Sequence, residues 1–198
     1  GSIMWCGYPG QSGGDAIADA IFGKINAFGK LSVTWYPQAF ADAVSIEDMG
    51  MRPNPKTGNP GRSYRFYTGT PVFKFGEGMS YTTFNTTLTV PTAVALSTVV
   101  GEVALTRAET SVVASISATV TNTGTRQGDE VVLVFAKSPN AGVDGAPLKS
   151  LISFERLALA PQEQTTVAFD VQSHHFTHAD TDGRRIATPG AWSVWVGV

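Results

Sequence analysis

Val112-Val113-Ala114-Ser115-Ile116-Ser117-Ala118-Thr119-Val120-Thr121 is the stretch that decides the fold. Ala114, Ile116, Ala118 and Val120 fall on one face, and Ser115, Ser117, Thr119 and Thr121 on the other. A period of two with one apolar and one hydroxyl face predicts a half-buried β-strand. Asn122-Thr123-Gly124 closes it with turn residues. After Gly128, residues 130–136 form a second, continuously apolar strand. Residues 151–157, 165–171 and 191–198 supply further strands, separated by Pro161, Asp182-Gly183 and Pro189-Gly190. Short strands at this spacing predict a β-sandwich of about a hundred residues over 81–198.

Upstream, residues 37–80 read as an extended linker. Arg52-Pro53-Asn54-Pro55 and Gly58-Asn59-Pro60-Gly61 oppose regular structure. Tyr64, Phe66, Tyr67, Phe73 and Phe75 are too aromatic for a free tether. They predict a strap packed across a neighbouring domain, or in part the lining of a ligand site. Residues 1–36 read as a strand–helix–strand unit. Ser2-Ile3-Met4-Trp5-Cys6 is an apolar run expected to form a buried strand. Residues 15–22 are expected to form a helix with Ile17, Ala20 and Ile21 on one face, Asp15 capping its start and Gly23 ending it. Leu31-Ser32-Val33-Thr34-Trp35 alternates as a strand. Such a unit cannot stand alone as a doubly wound sheet, so the chain is expected to begin inside a larger domain. The fold class is therefore mainly β: a sandwich preceded by a partial α/β unit and a linker. Severed from its surroundings, that unit would expose Ile3, Trp5, Ile17, Ile21 and Trp35.

The 198 residues carry 14 Lys+Arg against 16 Asp+Glu, a formal charge of −2, with 42% hydrophobic and 15% charged residues. That balance points away from nucleic acid, which needs a basic face, and from a polybasic membrane patch. No apolar run is long enough for a spanning helix. Residues 1–10 do not read as a signal peptide. One cysteine, Cys6, leaves no intrachain disulfide and no Cys-rich zinc site. Nothing calls for a cofactor.

Several motifs suggest chemistry. Gly10-Gln11-Ser12-Gly13-Gly14 matches the G-x-S-x-G of a hydrolase nucleophile elbow. Tyr8-Pro9 inserts loop where the elbow needs a sharp turn, so a tight structural loop is the expectation. The same loop lacks the Gly-Lys-Ser/Thr of a phosphate-binding P-loop. His174, His175 and His178 have metal-like spacing but no intervening Glu, and are expected to be surface or turn histidines. Glycoside hydrolysis needs two carboxylates flanking one bond, and spacing singles out no pair among the acidic residues. Asn85-Thr86-Thr87 is an N-glycosylation sequon. Trp192 and Trp195 lie three apart on a strand and so point to opposite faces. That disfavours a flat sugar-stacking platform from this pair.

Three ordered blocks then carry a family resemblance. The first is Gly7-Tyr8-Pro9-Gly10-Gln11-Ser12-Gly13-Gly14-Asp15-Ala16-Ile17-Ala18-Asp19, followed by Phe22-Gly23 and by Gly29-Lys30-Leu31-Ser32-Val33-Thr34-Trp35-Tyr36-Pro37. The second is Met51-Arg52-Pro53 with Pro60-Gly61-Arg62-Ser63-Tyr64-Arg65-Phe66-Tyr67. The third is Phe75-Gly76-Glu77-Gly78-Met79-Ser80-Tyr81-Thr82-Thr83-Phe84. Together they resemble the late part of glycoside hydrolase family 3, in its β-xylosidase branch of plant and fungal type. Asn122-Thr123-Gly124, Gly128-Asp129-Glu130-Val131-Val132 and the closing Pro189-Gly190…Val196-Gly197 resemble that family's C-terminal fibronectin type III-like domain.

The resemblance implies a retaining hydrolase of terminal β-linked sugars, exported from the cell. Its aspartate nucleophile would lie on an N-terminal (β/α)8 barrel, and its acid/base glutamate upstream of the Gly-Tyr-Pro-Gly block. No residue here then takes a catalytic role, and the partners would be those N-terminal domains, with an oligosaccharide as ligand. Tyr8, Gln11, Arg62, Tyr64 and Arg65 are the candidates for pocket-rim or interdomain contacts, Arg62 and Arg65 equally for buried ion pairs. Asn85 is the candidate glycan site. The other reading is a stand-alone, non-catalytic module that binds carbohydrate or protein.

Overall fold

In a computed structural model, which describes residues 1–89, 112–180 and 182–197, two three-stranded antiparallel sheets face each other. One sheet joins β1 (Phe84–Thr89), β2 (Val112–Asn122) and β5 (Gln164–Gln172) in that order. The other joins β4 (Ser150–Leu159), β3 (Gly128–Lys137) and β8 (Ser193–Val196). A small hairpin, β6 (Thr177–Ala179) with β7 (Arg185–Ala187), follows β5. The alternation in β2 holds in space. Ile116, Ala118 and Val120 are buried and pack with Val132, Val134, Leu159, Phe169 and Val171. Each of the larger side chains contributes about 1.5–3 kcal/mol when fully buried, and Ala118 less.

The apolar run in β3 has a second consequence. Val132 and Val134 point into the core between the sheets. Phe135, of opposite parity, is equally inaccessible at 0% exposure. Something must cover the outer face of this sheet, and the aromatic strap does so. Trp192 and Trp195 divide in the same way. Trp192 packs on core Phe176 with ring centroids 5.3 Å apart, whereas Trp195 stacks on Phe135 at 5.8 Å.

The first 80 residues depart from the expected strand–helix–strand unit. The helix exists, as α1 (Gly13–Ile21), and Ala20 is buried while Ile21 is exposed. Ser12 holds the N-cap position and Asp15 lies in the first turn, so Asp15 favours the helix dipole without capping. The run at residues 2–6 is neither a strand nor buried. Residues 31–35 do not form the expected strand: the chain bends at Ser32 and Val33, and Leu31 and Trp35 exchange backbone hydrogen bonds with Gly76, Glu77, Val72 and Phe73 of the strap at 2.7–2.9 Å. The linker is not uniformly extended either, containing two short helices, α2 (Gln38–Ala43) and α3 (Ser63–Phe66).

Polar contacts tie α1 and its following loop to the sandwich. Asn26 Nδ2 donates to the Gln127 carbonyl at 2.9 Å, and its Oδ1 accepts from the Tyr81 N–H at 2.9 Å. Lys30 pairs with Glu130 at 3.0 Å. Gly128 permits the approach, because a Cβ there would lie 2.5 Å from Asn26 Nδ2.

Candidate functional site

The strap meets the outer face of the second sheet through an aromatic cluster. Tyr64 stacks on Phe75 with centroids 4.3 Å apart, and both meet Phe135 edge-on at 5.8 and 6.2 Å. The Leu151 N–H donates to Tyr64 Oη at 3.2 Å, and the Leu148 N–H to the Arg65 carbonyl at 2.7 Å. Arg52 reaches across to the carbonyls of Gly145 and Ala179 at 2.9 and 2.8 Å. The bend that aims α3 rests on Gly61, at φ +89°, where a Cβ would sit 2.2 Å from the Phe66 carbonyl oxygen.

Arg62 and Arg65, candidates for ion pairs between domains, make none among the described residues. Arg62 donates to the Asp48 carbonyl at 2.6 Å and lies 5.3 Å from the centre of the Phe40 ring. Arg65 lies 5.4 Å from the Phe66 ring. Aromatic faces and one carbonyl take the place of carboxylates here, and the buried Nε of each arginine has no hydrogen-bond partner. Hydrogen bonds from Thr57 and the Gly50 N–H hold the nearby Asp48 carboxyl below its usual range.

A cleft of about 340 Å³ opens beside the aromatic cluster. Thr34, Tyr64, Lys74, Lys137, Lys149 and Trp195 line it, and no carboxylate does. A second cleft of about 200 Å³ holds Asp129 and Glu130. These are consecutive on β3 and so project oppositely. Asp129 is bound by Arg156 at 2.6 Å and Glu130 by Lys30 at 3.0 Å. Neither cleft offers the paired, facing carboxylates of glycoside hydrolysis.

Of the five sequence candidates, Tyr64 lines the first of these two clefts and the other four line neither. Tyr8 and Gln11 are exposed on the loop before α1. Ser12 sits at that helix start, where the Gly13 N–H turns back to the Gly10 carbonyl at 2.9 Å. Asn85 is exposed on β1. The lysines of the first cleft escaped sequence reasoning, because they come from three distant segments with no shared spacing.

The histidines differ from expectation at one position. His174 and His175 form a 3-10 turn (Ser173–Phe176), but His178 is buried on β6 at 5% exposure. No group of three metal-ligating side chains occurs among the described residues. Burial pushes the His175 imidazole down to about 4, with His174 and Arg185 adding to the effect. Its Nδ1 accepts from the Gln172 N–H at 3.1 Å, which the neutral ring allows. Burial also lowers His178, with Arg52 adding to it. Both rings are therefore neutral when folded, while unfolded histidine titrates near 6.5. Stability is complete above pH 6.5 and falls as the pH drops towards 4. His175→Asn, whose Oδ1 can still accept from Gln172, should flatten that slope. Urea midpoints at pH 7, 6 and 5 for both proteins will measure it, and identical slopes would remove His175 as the cause.

An antiparallel sandwich of this kind, with an aromatic strap clamped to one face, defines a fibronectin type III-like module with an N-terminal extension. Residues 130–198 match the fibronectin type III-like domain, and residues 1–81 match the glycosyl hydrolase family 3 C-terminal domain. These matches make the chain similar to the C-terminal part of glycoside hydrolase family 3 proteins. It is 38% identical to beta-D-xylosidase 3 of Arabidopsis thaliana over 213 residues, covering 99% of this chain and 27% of that protein. It is 38% identical to exo-1,4-beta-xylosidase xlnD of Emericella nidulans over 198 residues, covering 98% and 24%. A GH3 exo-beta-xylosidase (XlnD), solved with a xylobiose aziridine activity-based probe, superposes with a TM-score of 0.80 at 35% identity, covering 96% of this chain and 25% of that one. The chain thus spans about a quarter of the length of the relatives it matches.

Proposed function

We propose that this chain is the C-terminal portion of a secreted β-xylosidase-like enzyme and is not catalytic alone. The parent reaction would be retaining hydrolysis of terminal, non-reducing β-linked sugars of plant-type polysaccharides. The observation that carries this is the identity of 38% to xylosidases over 98–99% of the chain. The nucleophile and the acid/base would then come from the remaining three quarters of the protein. Exposed Ile3, Trp5, Ile21 and Phe22 support the reading. They are apolar surface of the kind that marks an interface, here with the rest of the α/β domain. Tyr8 and Gln11 would meet that domain or the substrate rim, while Arg62, Tyr64 and Arg65 hold the strap. Asn85 would carry a glycan in the secreted protein.

The test is hydrolysis of an aryl β-D-xyloside. The chain alone should give no turnover above buffer, and a mixture with the separately produced remainder of the parent should restore it. Activity that follows the isolated chain through a second column would overturn the inactivity. A second reading, a carbohydrate- or protein-binding module, draws support from the lysine-lined cleft.

A further inference from the structure

We propose that the cleft between the strap and the outer face of the second sheet binds an acidic oligosaccharide, its uronic-acid carboxylate held by Lys74, Lys137 and Lys149. Lys74, Lys137 and Lys149 all line this one cleft, and no carboxylate does. None of the three makes an ion pair among the described residues. Lys149 instead lies 4.5 Å from the Phe135 ring centre and 6.0 Å from that of Trp195. Uncompensated like charges at one site favour an anionic guest. Burial and the neighbouring Lys74 push the Lys149 ammonium below its ordinary range, the direction expected where positive charge is concentrated.

The remaining lining suits a sugar ring. Tyr64 and Trp195 are half-buried aromatic walls, and they join polar groups in a concave space of ligand size. Thr34 lines the same cleft, and its buried Oγ1 has no hydrogen-bond partner. A sugar hydroxyl would supply one. The anionic half of the proposal stands on the lysines. The saccharide half rests on the glycosidase reading above.

Calorimetric titration of the full chain would use three probes: a xylotriose bearing one glucuronic acid, neutral xylotetraose, and sodium sulfate. The acidic oligosaccharide should bind at least about tenfold more tightly than xylotetraose. That preference should shrink as NaCl rises from about 20 to about 200 mM. The double variant Lys137→Gln/Lys149→Gln should abolish the preference, and Lys149→Arg should keep it. Thermal melts will confirm that each variant is folded. Equal binding of both oligosaccharides, no binding of either, or a preference unchanged in the double variant would overturn the proposal. Sulfate binding as tightly as the acidic oligosaccharide would also overturn it, leaving an anion site without sugar recognition. None of these readouts needs turnover. A reassembled protein that hydrolyses nothing would sink the glycosidase reading while leaving this binding intact.

Discussion

Asn122→Ala is expected to lower the unfolding free energy by about 3–5 kcal/mol, a large share of the ~5–15 kcal/mol that holds an ordinary domain together. Asn122 ends β2 at 0% exposure, and its amide uses every position it has. Its Oδ1 accepts from Thr82 Oγ1 at 2.7 Å and from the Gly124 N–H at 3.1 Å. Its Nδ2 donates to the carbonyls of Arg126 at 2.7 Å and Leu159 at 3.1 Å. One side chain thereby joins the segment just before β1, the β2 end, the turn and the end of β4. Truncation leaves several buried groups without partners, each costing about 1–3 kcal/mol where water cannot enter. Asn122→Asp should be nearly as damaging. It keeps the acceptor but turns a donor pair into negative charge facing two carbonyl oxygens. Thr82→Val, which removes one of the four bonds, should cost only about 1 kcal/mol. Urea denaturation of the three variants will rank them, and an Asn122→Ala cost no greater than that of Thr82→Val would sink the argument.

The sequence reported faces better than partners. β2 was legible because its buried and exposed positions alternate, and only one register keeps Ile116, Ala118 and Val120 inside. β3 was legible as a strand, but its unbroken apolar run did not say what lay on the second side. The aromatic residues of the strap supplied half of that answer, and Phe135 the other half. At residues 31–35 the alternation does not yield a strand: Ser32 and Val33 bend and are both exposed, and only Leu31 and Trp35 pair with the strap. Pairing with residues 72–77 depends on a long-range contact that local periodicity cannot encode. Residues 2–6 were misread because apolar composition says what a segment gains by burial and does not say that a partner is at hand. The surface position expected for His178 follows from its nearness to the turn at residues 180–183, and the structure buries it instead. The chain turns after Phe176, and strand parity then sends the imidazole inward. The lysine cleft left no trace in sequence, since only folding brings Lys74, Lys137 and Lys149 together.

Phe135→Ala should cost about 3–5 kcal/mol as well, and should also release the strap before the sandwich unfolds. Phe135 is wholly buried on the face of β3 that looks away from the inter-sheet core. Tyr64, Phe75, Trp195 and the Lys149 ammonium all meet its ring. Removing it opens a cavity at the junction and leaves the Val132 and Val134 side untouched. Val134→Ala makes the matched comparison. That residue is equally inaccessible, but it belongs to the inter-sheet core, and losing two methyl groups there costs about 2 kcal/mol by transfer alone. It should destabilise the sandwich without favouring strap release. Lys56, Arg62, Arg65 and Lys74 make the strap cleavable by trypsin, so partial opening can be read directly. In Phe135→Ala these sites should be cut while residues 112–180 stay resistant, and in Val134→Ala the two regions should fail together. Equal cleavage patterns would mean that the strap and the sandwich unfold as one unit, and that Phe135 is ordinary core. Strap release should also abolish the tenfold preference for the acidic oligosaccharide, because Lys74 would leave with the strap while Lys137 and Lys149 remained with the sandwich.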